Sequence, residues 1–553
     1  MKPTWKWIIG IAAGVLVLIA VASWYVNRKL KPKLASALAA RVAEGTDGHY
    51  ALTYDALDLS LLAGNASATN IRLRLSSAGD TTWHPATSYD VRAGRLQVRG
   101  VGMLRLLFGG DLRINAITLD TPSVRITSHR PADTAAVDTA AADTVEDTWL
   151  SRLAANPRLA GTRVGRFVIR GGELALVSDY NAGRMHAGPI NATIEDIRLD
   201  SAALRDTART YGAGAVRVEA AAVAYTRPDS LYRLHAGPLR LETGKRELVL
   251  HDLRYALTVS KAEFYRRVGR AEDIGDIVIA RIGLSGIDLA RWMEAQTLAA
   301  ASLRIDSGHI AVYKDKTQYN PPENKIGRSP HQQLLRLEQR VAIDSVLVGA
   351  LDIRFTEVSD QTGEAGTVTF DDTEAVIHHL TNDSAELARD RFMRLHARAR
   401  AMGAGDLTVD FRFDMLDPLG GHTYQAEVGP MAATAFNRML TPQLRVEVAE
   451  GTVRGLRFDM EANDRRTAGT LQLDYDGLKV NFLREDDDGG ASTKKVISFL
   501  ANRFVLNDSN PDANGVHHTG KVYIERPDSF SFFKMIWRSI REGTKGCIGL
   551  GDG

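Results

Sequence analysis

Polar and apolar residues alternate with a period of two along much of this chain, and no other feature constrains its fold as strongly. Ile71 to Leu75 reads apolar, arginine, apolar, arginine, apolar, and Leu407 to Phe413 continues the same scheme over a longer run. Because successive side chains of a strand point to opposite faces, the pattern gives each strand one apolar and one polar face. It predicts a mainly β protein whose apolar face either packs against a second layer or stays open.

Several segments share a strand, glycine, strand order, with looser relatives that lack the glycine. Glycine supplies the positive φ or the close backbone approach of a turn or bulge, so each segment predicts a hairpin or a kinked strand. We expect an elongated, curved, repeat-like antiparallel sheet, although convergent strand sequences would give the same pattern. The segments are 166–176, 303–312 and 446–456, and the looser relatives are 112–119 and 342–347.

Helical patterns are few and short, at 288–300, 329–340, 431–440 and 493–501, and Ser329-Pro330 forms an N-cap and N1 pair. The segment 527–553 differs, because bulky apolar residues recur in it at steps of three and four among basic residues. It fits either a helix lying in a membrane interface or a helix that caps the sheet through the same stripe. The candidate interfacial residues are Phe530, Phe533, Ile536, Trp537, Ile540, Lys534, Arg538 and Arg541.

An uncharged apolar run extends from Trp7 to Val26 near the N terminus. As a helix it would measure ~30 Å, which matches the hydrocarbon core of a bilayer, and aromatic residues stand at both of its ends. A cleaved signal peptide is the alternative, since Ala20 to Ala22 suits a cleavage site. The candidate anchor residues are Trp7, Ile8, Ile11, Val15, Leu16, Leu18, Ile19, Val21, Trp24 and Tyr25.

The orientation of this segment is ambiguous from charge alone. Four basic residues follow it directly, at 28, 29, 31 and 33, whereas two precede it, at 2 and 6. The positive-inside rule would then place the body of the chain in the cytoplasm, but large domains are translocated despite such a bias.

Composition and motifs favour no catalytic or nucleic-acid-binding function. The 69 Lys and Arg residues nearly balance 67 Asp and Glu residues, so no global field attracts nucleic acid. No standard nucleophile, zinc, phosphate-loop or dinucleotide motif occurs, and the paired histidines 378–379 and 517–518 would point to opposite strand faces. The acidic run 485–490 lacks the spacing of a calcium loop. We therefore predict no enzyme, no metal and no cofactor.

Four stretches resemble the bacterial AsmA-like family of envelope proteins. The N-terminal stretch 104–126 looks like the family's alternating apolar signature, which ends in Pro122-Ser123-Val124-Arg125-Ile126. The other stretches are 312–316 with 329–340, 355–357 with 366–370, and 437–442 with 450–451 and 471–480. The resemblance implies one inner-membrane helix, a periplasmic β-groove and a role in phospholipid transport or outer-membrane assembly.

These observations predict a single-pass inner-membrane protein with most of its chain in the periplasm. We expect phospholipid as ligand and the inner-membrane bilayer as partner, with no nucleic acid; a scaffold acting through protein contacts is the alternative. The candidate lipid-facing residues are Ile71, Leu73, Leu75, Leu407, Val409, Phe411 and Phe413. The expected segments are a cytoplasmic tail (1–6), a transmembrane helix (7–26), an N-terminal β module (27–127), an Asp/Ala/Thr linker (128–148), a middle β module (149–328), a C-terminal β module (329–526) and an amphipathic helix with tail (527–553).

Overall fold

The computed structural model describes residues 40, 42–43, 48–60, 63–76, 86–102, 111–129, 161–483 and 507–549. The predicted anchor, nearly all of the Asp/Ala/Thr linker, the acidic run and the helical pattern at 493–501 lie outside these residues. Across the described ranges, no helix combines the length and apolarity that crossing a membrane requires. The chain divides into two compact units, Met1–Leu248 and Val249–Gly553, and the predicted module boundaries stay predictions.

The prediction of a mainly β protein with short helices is confirmed, because the described residues form 24 strands. Those of the first unit are β1 (Tyr50–Thr53), β2 (Ala56–Ser60), β3 (Asn65–Leu75), β4 (Thr87–Val101), β5 (Arg113–Asp120), β6 (Ser123–Ser128), β7 (Thr162–Ser178), β8 (Arg184–Leu199), β9 (Ala215–Thr226), β10 (Tyr232–Ala236) and β11 (Leu239–Glu242), with helix α1 (Ser201–Arg205) after β8.

The strand β12 (Glu247–Leu257) begins at the end of the first unit. The second unit continues with β13 (Ile274–Ser285), β14 (Leu298–Ile305), β15 (Gly308–Asp315), β16 (Val341–Val358), β17 (Ala365–Thr381), β18 (Phe392–Ala401), β19 (Gly405–Asp414), β20 (His422–Val428), β21 (Met431–Ala432), β22 (Val446–Ala462), β23 (Arg466–Phe482) and β24 (Thr519–Glu525). Its helices are α2 (Lys261–Val268), α3 (Leu289–Ala295), α4 (Pro330–Leu335), α5 (Ser384–Arg389), α6 (Asn437–Leu444) and α7 (Phe532–Cys547), with a 3₁₀ turn at Ala433–Phe436.

Two of the predicted helices, at 288–300 and 329–340, form near their expected starts but end earlier. Asp288 caps α3 by accepting a hydrogen bond from the Arg291 amide, and the backbone N–H of Ser329 donates to the Gln332 side chain at the start of α4. Both helices end early because the chain returns to the sheet, where β14 begins at Leu298 and β16 at Val341. Part of the pattern at 431–440 forms β21 and the 3₁₀ turn instead of a helix.

Pairing in the first unit is mixed, which corrects the expectation of an antiparallel sheet. β5 and β6 run end to end, and both pair antiparallel with β4 on one side and parallel with β7 on the other. The next pairs, β7 with β8 and β8 with β9, are antiparallel. β10 and β11 also run end to end along β9. Broken strands, each in two pieces, therefore lie beside long strands at both sides of the group β7, β8 and β9.

The second unit repeats this unusual arrangement. β14 and β15 pair antiparallel with β13 and parallel with β16, and β17 and β18 follow in antiparallel order. β13 to β18 therefore match β4 to β9 in order and direction. A parallel neighbour needs a crossover of chain, and the described crossover at 316–340 contains α4.

Two lines of irregular residues, here called creases, cross the strands of each unit. In the first unit, crease A passes through Gly94, Thr121 and Gly171, and crease B through Gly100, Asn115 and Gly165. On each of these three strands the two creases are six residues apart. At crease B the facing residues have no partner in the register, and Asp196 of β8 extends it with a φ of 49°.

The same creases recur in the second unit at the same spacing. Crease A passes through Ala280, Ser307 and Ala350, and crease B through Gly286, Ala301 and Asp344, again six residues apart on each strand. His379 extends crease B on β17 with a φ of 62°, as Asp196 does on β8. Equal topology and equal spacing make the two units structural repeats. The repeating element is thus β4–β9 with β13–β18, rather than the strand, glycine, strand segments that the sequence brings together.

Candidate functional site

A row of large apolar side chains crosses six neighbouring strands of the first unit. Each member faces the next in the register of the sheet, so their Cβ atoms lie on one face. We call it the outer row: Tyr89 of β4, Ile126 of β6, Leu176 of β7, Met185 of β8, Tyr225 of β9 and Leu234 of β10.

The apolar face continues behind this row in three further rows. The next row runs from Leu73 through Val91, Val124, Leu174, Ala187 and Val223. Beyond crease A follow two more, Leu96–Leu119–Ile169–Ala192–Val218–Leu241 and Val98–Ile117–Phe167–Ile194–Val216. In β7 the residues of this face occupy the odd positions Phe167 and Ile169 and then even positions from Leu174 onward, so the alternation shifts by one residue at the crease. Because a bulge residue also swaps the faces of the side chains after it, the apolar face stays continuous.

The outer row is accessible to solvent. Tyr89 keeps 45% of its surface exposed, Tyr225 39% and Leu176 36%, and the other members are half-buried. Isolated exposed apolar residues are normal on a protein surface, but a contiguous patch marks an interaction site. Accessible rows of this kind are what an apolar ligand requires.

The opposite face of the same strands is polar and charged. Arg125, Ala175, His186, Ala224 and His235 form a row there, in register with one another. Close by, the Arg92 guanidinium hydrogen-bonds Asp90 and holds the pKa of that carboxyl below its usual range. The two faces of this unit therefore differ sharply in chemistry.

The predicted lipid-facing residues fall into two environments. Leu73 lies in the row behind the outer row, Ile71 is half-buried beside Ala93, and Leu75 is 44% exposed opposite Tyr50. The four residues of β19 belong to the second unit, where the rings of Phe411 and Phe413 lie 5.9 Å and 6.2 Å from that of Phe532 in α7. Leu407 packs against a separate buried cluster that includes Met402 and Met431, and Val409 is half-buried.

Helix α7 covers part of the apolar face of the second unit. Its buried residues are Phe532, Met535, Ser539, Gly543 and Cys547. Met535 and Cys547 join Tyr424, Met460 and Leu471 of the sheet in a core cluster, and burial raises the pKa of the Cys547 thiol. This contact is of the sheet-capping kind that the sequence left as one of two alternatives.

The predicted interfacial stripe lies beside the buried one. Phe530, Ile536 and Ile540 are half-buried against the core, Trp537, Arg538 and Arg541 are half-buried, and Lys534 is exposed above the Phe530 ring at 3.9 Å. Phe533 remains 70% exposed. The buried stripe uses Ser539 and Gly543, which hydrophobic periodicity does not detect, because small residues allow the close backbone approach. Whether the exposed side contacts a membrane stays a prediction.

An open cleft of about 1150 Å³ lies in the second unit between α4, the turn that joins β22 to β23 and the end of β24. At its wall Arg526 donates to Asp464 at 2.7 Å, and Gln332 donates to the second carboxylate oxygen of Asp464 at 2.7 Å. Arg526 also donates to the carbonyls of Lys325 and Phe530. The lining has equal numbers of arginines and carboxylates: Arg336, Arg465, Arg466, Arg526, Asp417, Asp464, Glu525 and Asp528. That balance favours no charged ligand.

His331 is a titratable group in the core of the second unit. His331 is fully buried with its ring 4.9 Å from that of Phe413 and 5.6 Å from that of His422. Burial lowers the pKa of His331 to about 4, so the ring is neutral near pH 7. In the described part of the chain, no group of three histidine, cysteine or carboxylate side chains is placed to hold a metal.

Comparison with known proteins gives no family assignment: no family model matches the chain, and no curated protein matches it.

Proposed function

We propose that this protein binds phospholipid along the apolar face of its first unit, as a membrane-anchored periplasmic protein of lipid homeostasis or outer-membrane biogenesis. The observation that carries the proposal is the outer row, six apolar side chains in register across neighbouring strands with three of them 36% exposed or more. The membrane anchor, the periplasmic location and the AsmA-like relationship are parts of this proposal that rest on the sequence.

The length of the outer row suits an acyl chain. Its six strands define five spacings of ~4.8 Å, so the row extends ~24 Å. A bilayer core of ~30 Å contains two acyl layers, so one chain needs roughly 15 Å. An acyl chain laid across the strands would therefore meet apolar side chains along its whole length, while the headgroup stays in water.

The test is lipid binding by the full-length protein purified from membranes. Organic extraction followed by mass spectrometry should recover phospholipid, and a phospholipid with a photoreactive acyl chain should cross-link to peptides that contain the outer row. Leu176→Glu should lower cross-linking about tenfold, because losing one apolar side-chain contact costs roughly 1.5 kcal/mol before the added charge is counted.

His186→Glu is the matched control, since it places the same charge on the polar face of the adjacent strand, one residue from Met185. Its cross-linking should equal that of the wild type. Absence of lipid from the extract, or equal cross-linking by both variants, would favour the alternative scaffold function that acts through protein contacts.

A further inference from the structure

Three polar side chains meet at one edge of the first unit's sheet. Ser88 lies at the start of β4, His129 directly follows β6, and Asp179 directly follows β7. The Oγ of Ser88 is 2.8 Å from the Nε2 of His129, and the Nδ1 of the same ring hydrogen-bonds the Asp179 carboxylate. This is the order of contacts, serine to histidine to aspartate, by which serine hydrolases activate their nucleophile.

Sheet topology explains why these residues meet. β6 and β7 are parallel, so their carboxyl ends reach the same edge, and antiparallel β4 starts at that edge. The main chain fixes the two loop residues, since the His129 amide donates to the Ala86 carbonyl at 2.9 Å and the Asp179 amide donates to the Ser128 carbonyl at 3.1 Å. Backbone hydrogen bonds therefore hold His129 and Asp179 in position at the ends of their strands.

We propose that Ser88, His129 and Asp179 form a catalytic triad that hydrolyses carboxylic esters. The Asp179 carboxylate accepts from Nδ1–H, which leaves the Nε2 lone pair to accept the Ser88 hydroxyl proton. As Ser88 Oγ bonds to the ester carbonyl carbon, that proton passes to Nε2 and then to the departing alcohol. Water, activated by the same nitrogen, cleaves the acyl-serine bond, releases the carboxylic acid and restores the serine.

The exposure of His129 and Asp179 favours esters over amides as substrates. The side chains of His129 and Asp179 are 34% and 46% exposed, so a small molecule reaches the histidine, but solvent screens the developing charge. Esters have better leaving groups than amides and need less stabilisation of the intermediate. The Tyr50 hydroxyl accepts a hydrogen bond at 3.1 Å from the amide of Tyr89, the residue that follows Ser88. A tyrosine hydroxyl is one of the groups that bind an oxyanion.

The second unit offers incomplete versions of this arrangement as internal controls. Ser345 Oγ lies 3.4 Å from the Nδ1 of His378, and no carboxylate among the described residues contacts that histidine. His396 pairs with Asp410 at 2.8 Å, and no described serine contacts that ring. Of these three sites, only the edge of the first unit combines all three groups.

The experiment uses the full-length protein with a fluorophosphonate probe and with p-nitrophenyl butyrate as substrate. We expect the probe on the peptide that contains Ser88 and a loss of kcat/KM of about 100-fold or more in Ser88→Ala and in His129→Ala. Tyr50→Phe should lower kcat more than it changes KM, as expected for a group that stabilises the transition state.

Ser345→Ala is the matched control and should leave both labelling and hydrolysis unchanged. Failure of the probe to modify Ser88, or hydrolysis that survives Ser88→Ala, would overturn the proposal. Butyrate is too short to need the outer row, so either result is independent of whether the unit binds phospholipid.

Discussion

Single residues of the second unit differ in importance according to how completely they are buried. Arg526 and Asp464 are 2% and 6% exposed in their side chains, and Arg526 also donates to the carbonyl of distant Lys325 and to that of Phe530, four residues further on. A buried ion pair adds little stability compared with an apolar pair, but removing one partner leaves the other charge buried and unpaired. Its role is therefore to fix three chain segments together at the cleft.

Asp464→Ala should destabilise the protein by about 3 kcal/mol, because Arg526 and Gln332 both lose their acceptor. The measurement is the free energy of unfolding in urea. Asp476→Ala removes the solvent-exposed pair with Arg454 and should cost less than about 1 kcal/mol. Equal losses in the two variants would contradict the structural role of the buried pair.

Protonation of His331 should make the stability of the protein depend on pH. The pKa of His331 falls from 6.5 in the unfolded chain to about 4 in the folded protein, mainly through burial, with neighbouring His422 lowering it further and Asp464 and Asp417 raising it. Between those values the unfolded state binds more protons, so stability should fall by about 3 kcal/mol as pH drops from 6.5 to 4. Unfolding midpoints across this range measure it.

His331→Phe keeps a ring against Phe413 but cannot take up a proton, so the variant should lose this part of the pH dependence. The exposed His186→Phe serves as the comparison and should follow the wild type. If His331→Phe shows the same slope as the wild type between pH 6.5 and 4, the shift in pKa has been assigned to the wrong group.

The sequence predicts which residues lie in strands, but it does not predict which side chains meet across the fold. The alternation in 71–75 and 407–413 identifies strand residues, because side-chain direction follows from the period of the backbone alone. The Ser88–His129–Asp179 contacts escape a motif search, since they come from three strand ends that the β4–β6 and β6–β7 pairings bring to one edge. The same holds for Asp464 and Arg526, which are 62 residues apart.

At the level of elements, α7 docks on the sheet through close glycine contacts as well as through large side chains such as Phe532 and Met535. A Cβ atom at Gly520 of β24 would lie 1.8 Å from the Gly543 carbonyl oxygen, and one at Gly543 would lie 2.5 Å from the Leu471 Cβ. Backbone approach this close leaves no room for even a methyl group. Small residues carry no hydrophobic signal, which is why the sequence pattern predicts the helix but misses Ser539 and Gly543 on its buried side.

Gly520→Ala should push α7 away from the sheet and lower stability by about 1–3 kcal/mol, the usual cost of overpacking. The single cysteine of the chain, fully buried in this contact, reports the change, because its reaction with a thiol reagent should accelerate. Gly349→Ala is the control, since a Cβ there meets nothing within 4 Å. Unchanged thiol reactivity in Gly520→Ala would argue against the tight contact.

For the molecule as a whole, the two units share a strand plan over β4–β9 and β13–β18 and differ in how far their apolar faces are covered. The apolar face of the second unit includes residues such as Leu471 and Tyr424 that are buried to 1% exposure or less, whereas the outer row of the first stays accessible. The alternation in the sequence predicts both faces equally well. It does not distinguish them, because what covers a face is decided by segments far away in the chain.

This difference predicts where a lipid acts. Vesicles of phosphatidylethanolamine and phosphatidylglycerol should slow hydrogen exchange in peptides from β4 to β9 and leave those from β19 to β24 unchanged. A ligand present at a hundred times its Kd stabilises the state that binds it by about 2.7 kcal/mol, enough to slow exchange that occurs through opening of that unit roughly a hundredfold. Uniform protection of both units, or none, would count against a lipid site in the first.

The creases also determine which changes the gene can tolerate. Each crossed strand consists of stretches that alternate in opposite phase, joined by one extra residue such as Gly171 with its φ of 61°. Loss of the codon for Gly171 would leave every side chain of β7 chemically intact, yet Leu174 and Leu176 would turn to the charged side of the sheet. Substitutions along these strands alter one contact at a time, whereas a deletion of three nucleotides at a crease inverts half a strand.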